Sequence, residues 1–159
     1  MSLEPFETAE SQDHPTVRQL SIFIENQVGQ LLQLTRLLDQ TDIRILAVSV
    51  VNAVDCAVIR MIVDDPDQAG ELFRQSRFSV SEAELIVVSL PPGKRGLLHT
   101  WMALLAGEVN INYTYPLLVR PHGAPAMAVQ ADNLEMAVAV LRTKRFDVLD
   151  QSDLLKGYH

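Results

Sequence analysis

Cysteine occurs once among the 159 residues, at Cys56. A single thiol excludes an internal disulfide and any CxxC metal or redox motif, and Cys56 lies in an apolar run where a packed thiol is ordinary. Basic charge is also scarce: 13 Lys and Arg against 20 Asp and Glu give a formal net charge of −7. Phosphate binding needs a basic face that releases counterions, so nucleic acid is not an expected partner. No apolar run reaches the roughly 18 residues that span a bilayer, and the opening MSLEPFETAE is acidic, without the basic-then-apolar order of a signal peptide. A cytoplasmic protein without membrane contact is expected. The four histidines, His14, His99, His122 and His159, are scattered, and no two share an evident site. Neither catalysis, nor a metal, nor a cofactor is expected.

What is present is ordinary globular material, 48% hydrophobic and 21% charged. Residues 1–16 are polar, acidic and aperiodic, which predicts a disordered tail. Residues 17–25 then alternate, with Leu20, Ile22 and Ile24 on one face and Gln19, Ser21 and Phe23 on the other, the period of a strand. Across 30–39 the spacing of Leu31, Leu34 and Leu38 changes to a helical period of about 3.6, with Gly29 at the helix start. Two β-branched runs, 43–51 and 57–63, predict a hairpin. DDPDQAGELFRQ opens a second helix, with Asp64 or Asp65 as N-cap and Pro66 in the first turn, where its missing N–H is harmless. RFSVSE supplies a short closing strand.

The same order returns in the second half. A strand is predicted over 84–90, a turn at PPGKRG, a helix over 97–106 and a hairpin from 109–120 and 126–131. A helix over 133–143 and a closing strand near 146–149 complete it. Gly29 and Gly96 stand at corresponding places, and FRQSRFSV echoes LRTKRFDV, with a period of about 67 residues. The expected organisation is one unit over 17–83, a second over 84–153 and a C-terminal tail over 154–159. Each β-α-β-β-α-β unit has the order of the ferredoxin-like α+β fold, an antiparallel sheet with two helices on one face.

By alternation, Phe23, Leu46, Val48, Val50, Val58 and Ile62 oppose Ile22, Ile45, Ala47, Ile59 and Met61, so the first sheet is apolar on both faces. The face without helices needs cover. Self-association as a homodimer through sheet faces would supply it, and so would the N-terminal tail or a loop. An RNA-recognition module would carry stacking aromatics on its central strands, where Val, Ser, Ile and Met stand here.

Two loops could hold a ligand. In IENQVGQLL, Gly29 has no Cβ to keep a ligand from the backbone, and the amides of Gly29, Gln30 and Leu31 are unpaired at a helix start, which suits a carboxylate. Asn26, both donor and acceptor, could read the ammonium and carboxylate of an amino acid. PPGKRG has similar means but lacks the GxxxxGK[ST] spacing of a phosphate loop, leaving either a carboxylate site or a glycine turn with solvated Lys94 and Arg95.

These residues resemble the ACT domain, a regulatory amino-acid-binding module. Its pattern after the first strand is roughly N-x-P-G-x-L, then a helix, then a G-[IV]-N-I-like entry into the second strand. Asn26-Gln27-Val28-Gly29-Gln30-Leu31 fits with Val28 in place of proline, while Gly93-Lys94-Arg95-Gly96-Leu97-Leu98 keeps only the glycine, Gly96. Val109-Asn110-Ile111 fits the strand entry, and Ile43-Arg44-Ile45 places Arg44 where asparagine is usual.

The resemblance covers 17–153 and implies tandem ACT repeats whose sheets pair edge to edge into an eight-stranded sheet with helices on one face. It also implies two pockets, each where the loop before one unit's first helix meets the second strand of its neighbour. One pairs Asn26, Gly29, Gln30 and Leu31 with Asn110 and Asn112; the other pairs Arg95, Gly96 and Leu97 with Arg44 and Leu46. The implied function is to bind a small amino acid without catalysis and to signal to a partner enzyme in trans or to the protein's own assembly. One alternative is a regulatory small subunit resembling that of acetolactate synthase, whose first loop is also of the E-N-x-x-G-x-L kind, as at Glu25 to Leu31. The other is a structural dimerisation module with decayed pockets.

Overall fold

The structure, a computed structural model, describes residues 14–25 and 28–156. Strand β1 (Val17–Glu25) and helix α1 (Val28–Asp39) are followed by the hairpin β2 (Ile45–Asn52) and β3 (Cys56–Val63), then α2 (Pro66–Gln75) and β4 (Ser79–Ser89). The second half adds α3 (Gly96–Ala106), β5 (Ile111–Pro116), β6 (Ala126–Ala131), α4 (Leu134–Thr143), β7 (Val148–Leu149) and α5 (Gln151–Leu155). Asp65 caps α2 by accepting from the Gln68 N–H, and Asn133 caps α4 by accepting from the Met136 N–H. Both helices end alike: Arg77 and Arg145 take positive φ of 68° and 65°, and the N–H groups of Phe78 and Phe146 reach back to the carbonyls of Phe73 and Leu141. The sequence echo FRQSRF and LRTKRF is therefore a repeated helix stop.

The strands lie antiparallel in the order β2-β3-β1-β4-β6-β5, with β7 also on β4. The expected eight strands are seven because the closing strand of the first unit and the opening strand of the second are one. Leu85 and the residues before it in β4 pair with β1, and Ile86 and those after it pair with β6. No Gly or Pro interrupts SVSEAELIVVS, so the ladder runs through it unbroken. The unit boundary read at 83/84 falls inside this strand.

Between Ile45 and Ala47 the register of β2 slips: Ile45 lies opposite Val63 and Ala47 opposite Ile62. Leu46 is the extra residue of a β-bulge, and a one-residue insertion reverses the facing of every later side chain. Val48 and Val50, expected beside Phe23, instead oppose Met61 and Ile59 on the helix-covered face, while Ala47, Ser49 and Val51 join Ile62, Arg60 and Val58. The same slip occurs in β5 between Ile111 and Tyr113, with Asn112 as the extra residue. Bulges bend strands, and the sheet curls until its two edges meet. Ala47 bridges Leu117, and the Leu118 N–H donates to the Leu46 carbonyl at 2.7 Å.

The curl sorts the apolar residues into three cores. On one flank Leu34, Ala69 and Phe73 from α1 and α2 pack on Leu20, Ile22 and Met61. On the other, Leu104, Val138 and Leu141 from α3 and α4 pack on Ile86, Val88 and Val129. Between the two halves of the sheet lies an inner core in which Val17, Leu46 and Ile62 meet Leu85, Val87 and Ala128. Leu154 of α5, only 1% exposed, packs into the same core, so ordered packing extends into the segment read as a C-terminal tail. The face expected to be covered by a second copy, or by a tail or loop, is covered over the inner core by the other half of the same chain. Among the described residues no helix is long and apolar enough to cross a membrane.

Because β4 serves both units, heating should unfold the chain in one transition with equal calorimetric and van't Hoff enthalpies. Two resolved transitions in a scanning calorimeter would contradict this coupling.

Candidate ligand-binding site

The first loop joins Glu25 at the end of β1 to Val28 at the start of α1; Asn26 lies outside the described residues. The Glu25 N–H donates to Oε1 of Gln30 at 2.6 Å, which ties the first helical turn back to the strand. The turn is open: an added Cβ at Gly29 would meet nothing within 4 Å, and Leu31 is 44% exposed. Among the described residues no acidic side chain stands in the first turn of α1, where the helix start carries partial positive charge.

The corresponding turn at α3 is closed. Gly96 is buried, and a Cβ there would sit 2.3 Å from the carbonyl oxygen of Pro91, so its lack of a side chain admits the chain's own backbone. Leu97 packs against the outer core of the second unit, and Arg95 stands exposed at the cap position without a capping side-chain hydrogen bond. Both loops read alike in sequence, yet a side chain on the glycine would meet open space in the first and backbone in the second. Gly96→Ala should destabilise the fold by about 1–3 kcal/mol through overpacking. Gly29→Ala should be neutral or stabilising by up to about 1 kcal/mol through helix propensity. Urea unfolding of the two variants measures the contrast, and equal effects would refute it.

The second-strand positions are held by their own hairpins. The Asn110 side-chain amide donates to Asp132, the Asn112 amide donates to Gln130, and the hydrogen bonds from the two asparagines hold the Asp132 carboxyl below its usual range. The Arg44 N–H donates to Oδ1 of Asp64 at 2.9 Å, and Leu46, expected to line a pocket, is fully buried as the bulge residue of the inner core. The structure thus groups Gly29, Gln30 and Leu31 in one open turn and Asn110 with Asn112 beside Asp132. Among the described residues no hydrogen bond joins these two groups within the chain.

A polar cluster inside the curl was not foreseen. Gln19 is completely buried, its amide donates to the Tyr113 hydroxyl at 2.8 Å and to Oγ of Ser21 at 3.1 Å, and its carbonyl accepts from the Tyr115 hydroxyl at 2.6 Å. The two tyrosine rings stack at 6.3 Å, and the Arg60 guanidinium lies 3.8 Å from the centre of the Tyr113 ring. The alternation of residues 17–25 already showed Gln19 and Ser21 on the face away from the helices. Their partners lie far along the chain and left no local signal.

Burial, with Tyr113 nearby, raises the Tyr115 hydroxyl above the ordinary tyrosine value, against an opposing pull from Arg60. The unfolded chain therefore ionises first, and this group's contribution to stability is complete below about pH 10 and declines as pH rises past it. Tyr115→Phe should cost about 1–3 kcal/mol at neutral pH, because the buried Gln19 carbonyl loses its donor, and should flatten the alkaline loss. Urea unfolding between about pH 9 and 11 tests both, and an unchanged slope would assign the alkaline loss to other groups.

The sequence profile of the ACT domain pair matches residues 15–157. The chain belongs to this family, whose members are regulatory modules. It is similar to protein BT0572 from Bacteroides thetaiotaomicron at 30% identity, with 89% of this chain and 97% of that one covered and a TM-score of 0.80. It also shares its fold with the ligand-free regulatory subunit of aspartate kinase from Thermus thermophilus, at 14% identity, 82% and 93% coverage and a TM-score of 0.55. No curated protein sequence matches the chain.

Proposed function

We propose that this ACT pair is a non-catalytic regulatory protein that binds a small amino acid at the start of α1 and passes occupancy to a partner enzyme in trans or to its own assembly. The observation that carries this reading is the contrast between the two glycine turns. Gly29 leaves its turn open to a ligand carboxylate, whereas Gly96 is filled by the Pro91 carbonyl. One working site per chain follows, built from Asn26, Gly29, Gln30 and Leu31. Asn110 and Asn112, which among the described residues have no hydrogen bond to that turn, would come from a second copy in a homodimer that buries another surface than the inner core. Such a ligand bridges two copies and shifts their arrangement by its differential affinity for the two states. Membership in a regulatory family supports the reading, and over an acetolactate synthase small subunit it is favoured by the second half, which repeats the same unit where that family has a different C-terminal domain.

A thermal-shift screen against the twenty amino acids tests it. A ligand at about a hundredfold over its Kd adds roughly 2.7 kcal/mol, or about 5–10 °C for a chain of this length. Gly29→Asp, which places a carboxylate in the anion site, should abolish the shift. No response to any amino acid at about 10 mM would sink the proposal and leave the module structural.

A further inference from the structure

The sheet curl closes at one end only. Ala47 bridges Leu117, but toward Ser49 and Val51 the edge of β2 is no longer paired with β5 among the described residues. The inner face is therefore open at the end where β1 finishes, as the exposure of Phe23 (43%) and Val51 (41%) shows.

The registers arrange the side chains of this mouth in rows across the strands. Val51, Val58, Phe23 and Ser79 form the outer row, since Val51 and Phe23 both oppose Val58 and Phe23 opposes Ser79. The next row inward is Ser49, Arg60, Ser21 and Ser81, each directly opposite the one before it. Ser49 and Ser21 thus flank Arg60 across the strands, Ser81 stands beyond Ser21, and Tyr113 of the second unit packs against the guanidinium. Behind this row Gln19 and Ile62 close the floor, both fully buried.

Arg60 is half-buried, and among the described residues it has no carboxylate partner; its described contact is the Tyr113 ring. A cation in a partly desolvated, hydroxyl-lined recess favours an anion, and an apolar row at the entrance favours an anion with an apolar body. Glu25, opposite Cys56 on the same face at the lip, adds negative charge outside the recess. One cation behind an acidic lip suits a single charge better than the two of a phosphate.

We propose that this mouth is a second ligand site, separate from the α1 turn, that takes a small monocarboxylate whose apolar body rests on Phe23, Val51 and Val58. The carboxylate accepts hydrogen bonds from the Arg60 guanidinium and the hydroxyls of Ser21 and Ser49. Since the recess is roofed by the second unit and floored by the first, an occupant holds the two halves of the sheet at a fixed opening.

Isothermal titration of the full chain with phenylacetate, hexanoate, acetate and inorganic phosphate tests it. Phenylacetate or hexanoate should give saturable binding, with acetate weaker by about tenfold or more for want of an apolar body. Arg60→Gln should weaken the best carboxylate by about tenfold or more, and Arg60→Lys should restore part of the loss. If Arg60→Gln does not fold, Val51→Asp at the exposed lip must weaken binding in its place through charge repulsion. In Gly29→Asp, which silences the α1 turn, the Arg60-dependent carboxylate binding should persist, which separates this site from the α1 turn. Full affinity in Arg60→Gln, tighter binding of phosphate than of the carboxylates, loss of binding in Gly29→Asp, or no heat from any carboxylate at about 10 mM overturns the proposal.

Discussion

The constraint on which the rest of this structure depends is that each unit's sheet has an apolar face that its own helices cannot cover. Two helices pack on one side of a four-stranded unit, and the other side must find a second sheet, a lipid or a partner. Here the chain meets the demand internally. The long strand β4 carries the sheet from one unit into the next, two bulges bend it, and the edge strands meet at Ala47 and Leu117. Everything described at the inner core, from Leu46 at the seam to Leu154 of α5, is a consequence of that closure.

The closure also explains why polar groups sit inside. At the level of Gln19 the two halves face each other across tyrosine hydroxyls, and a fully buried side chain there must satisfy them. Gln19 suits such a place because its amide can donate and accept at once, and it does both, to two tyrosines of the opposite half. Such a network holds the halves together by direction as well as by area, since each hydrogen bond fixes an angle that apolar contact leaves free.

Element order, the cap of α2 and the repeat were legible in the sequence because they are written locally: Asp65 before Pro66, and FRQSRFSV echoed by LRTKRFDV. The bulges were not, because one extra residue in a β-branched run changes no composition while it inverts the facing of Val48 and Val50. Nor was the fusion of two expected strands into β4, since its exposed serines and glutamates read as a junction. The candidate site was half legible. Glycine marks a close approach at both helix starts, but a missing side chain does not say what approaches, and a ligand at Gly29 and the Pro91 carbonyl at Gly96 call for the same residue.

Leu46 and Asn112 share no chemistry, so what the two bulges have in common is the backbone irregularity itself, at the same place in each unit. Each edge strand therefore carries its own bend, and the seam at Ala47 and Leu117 is approached from both sides rather than by one strand folding over a flat partner.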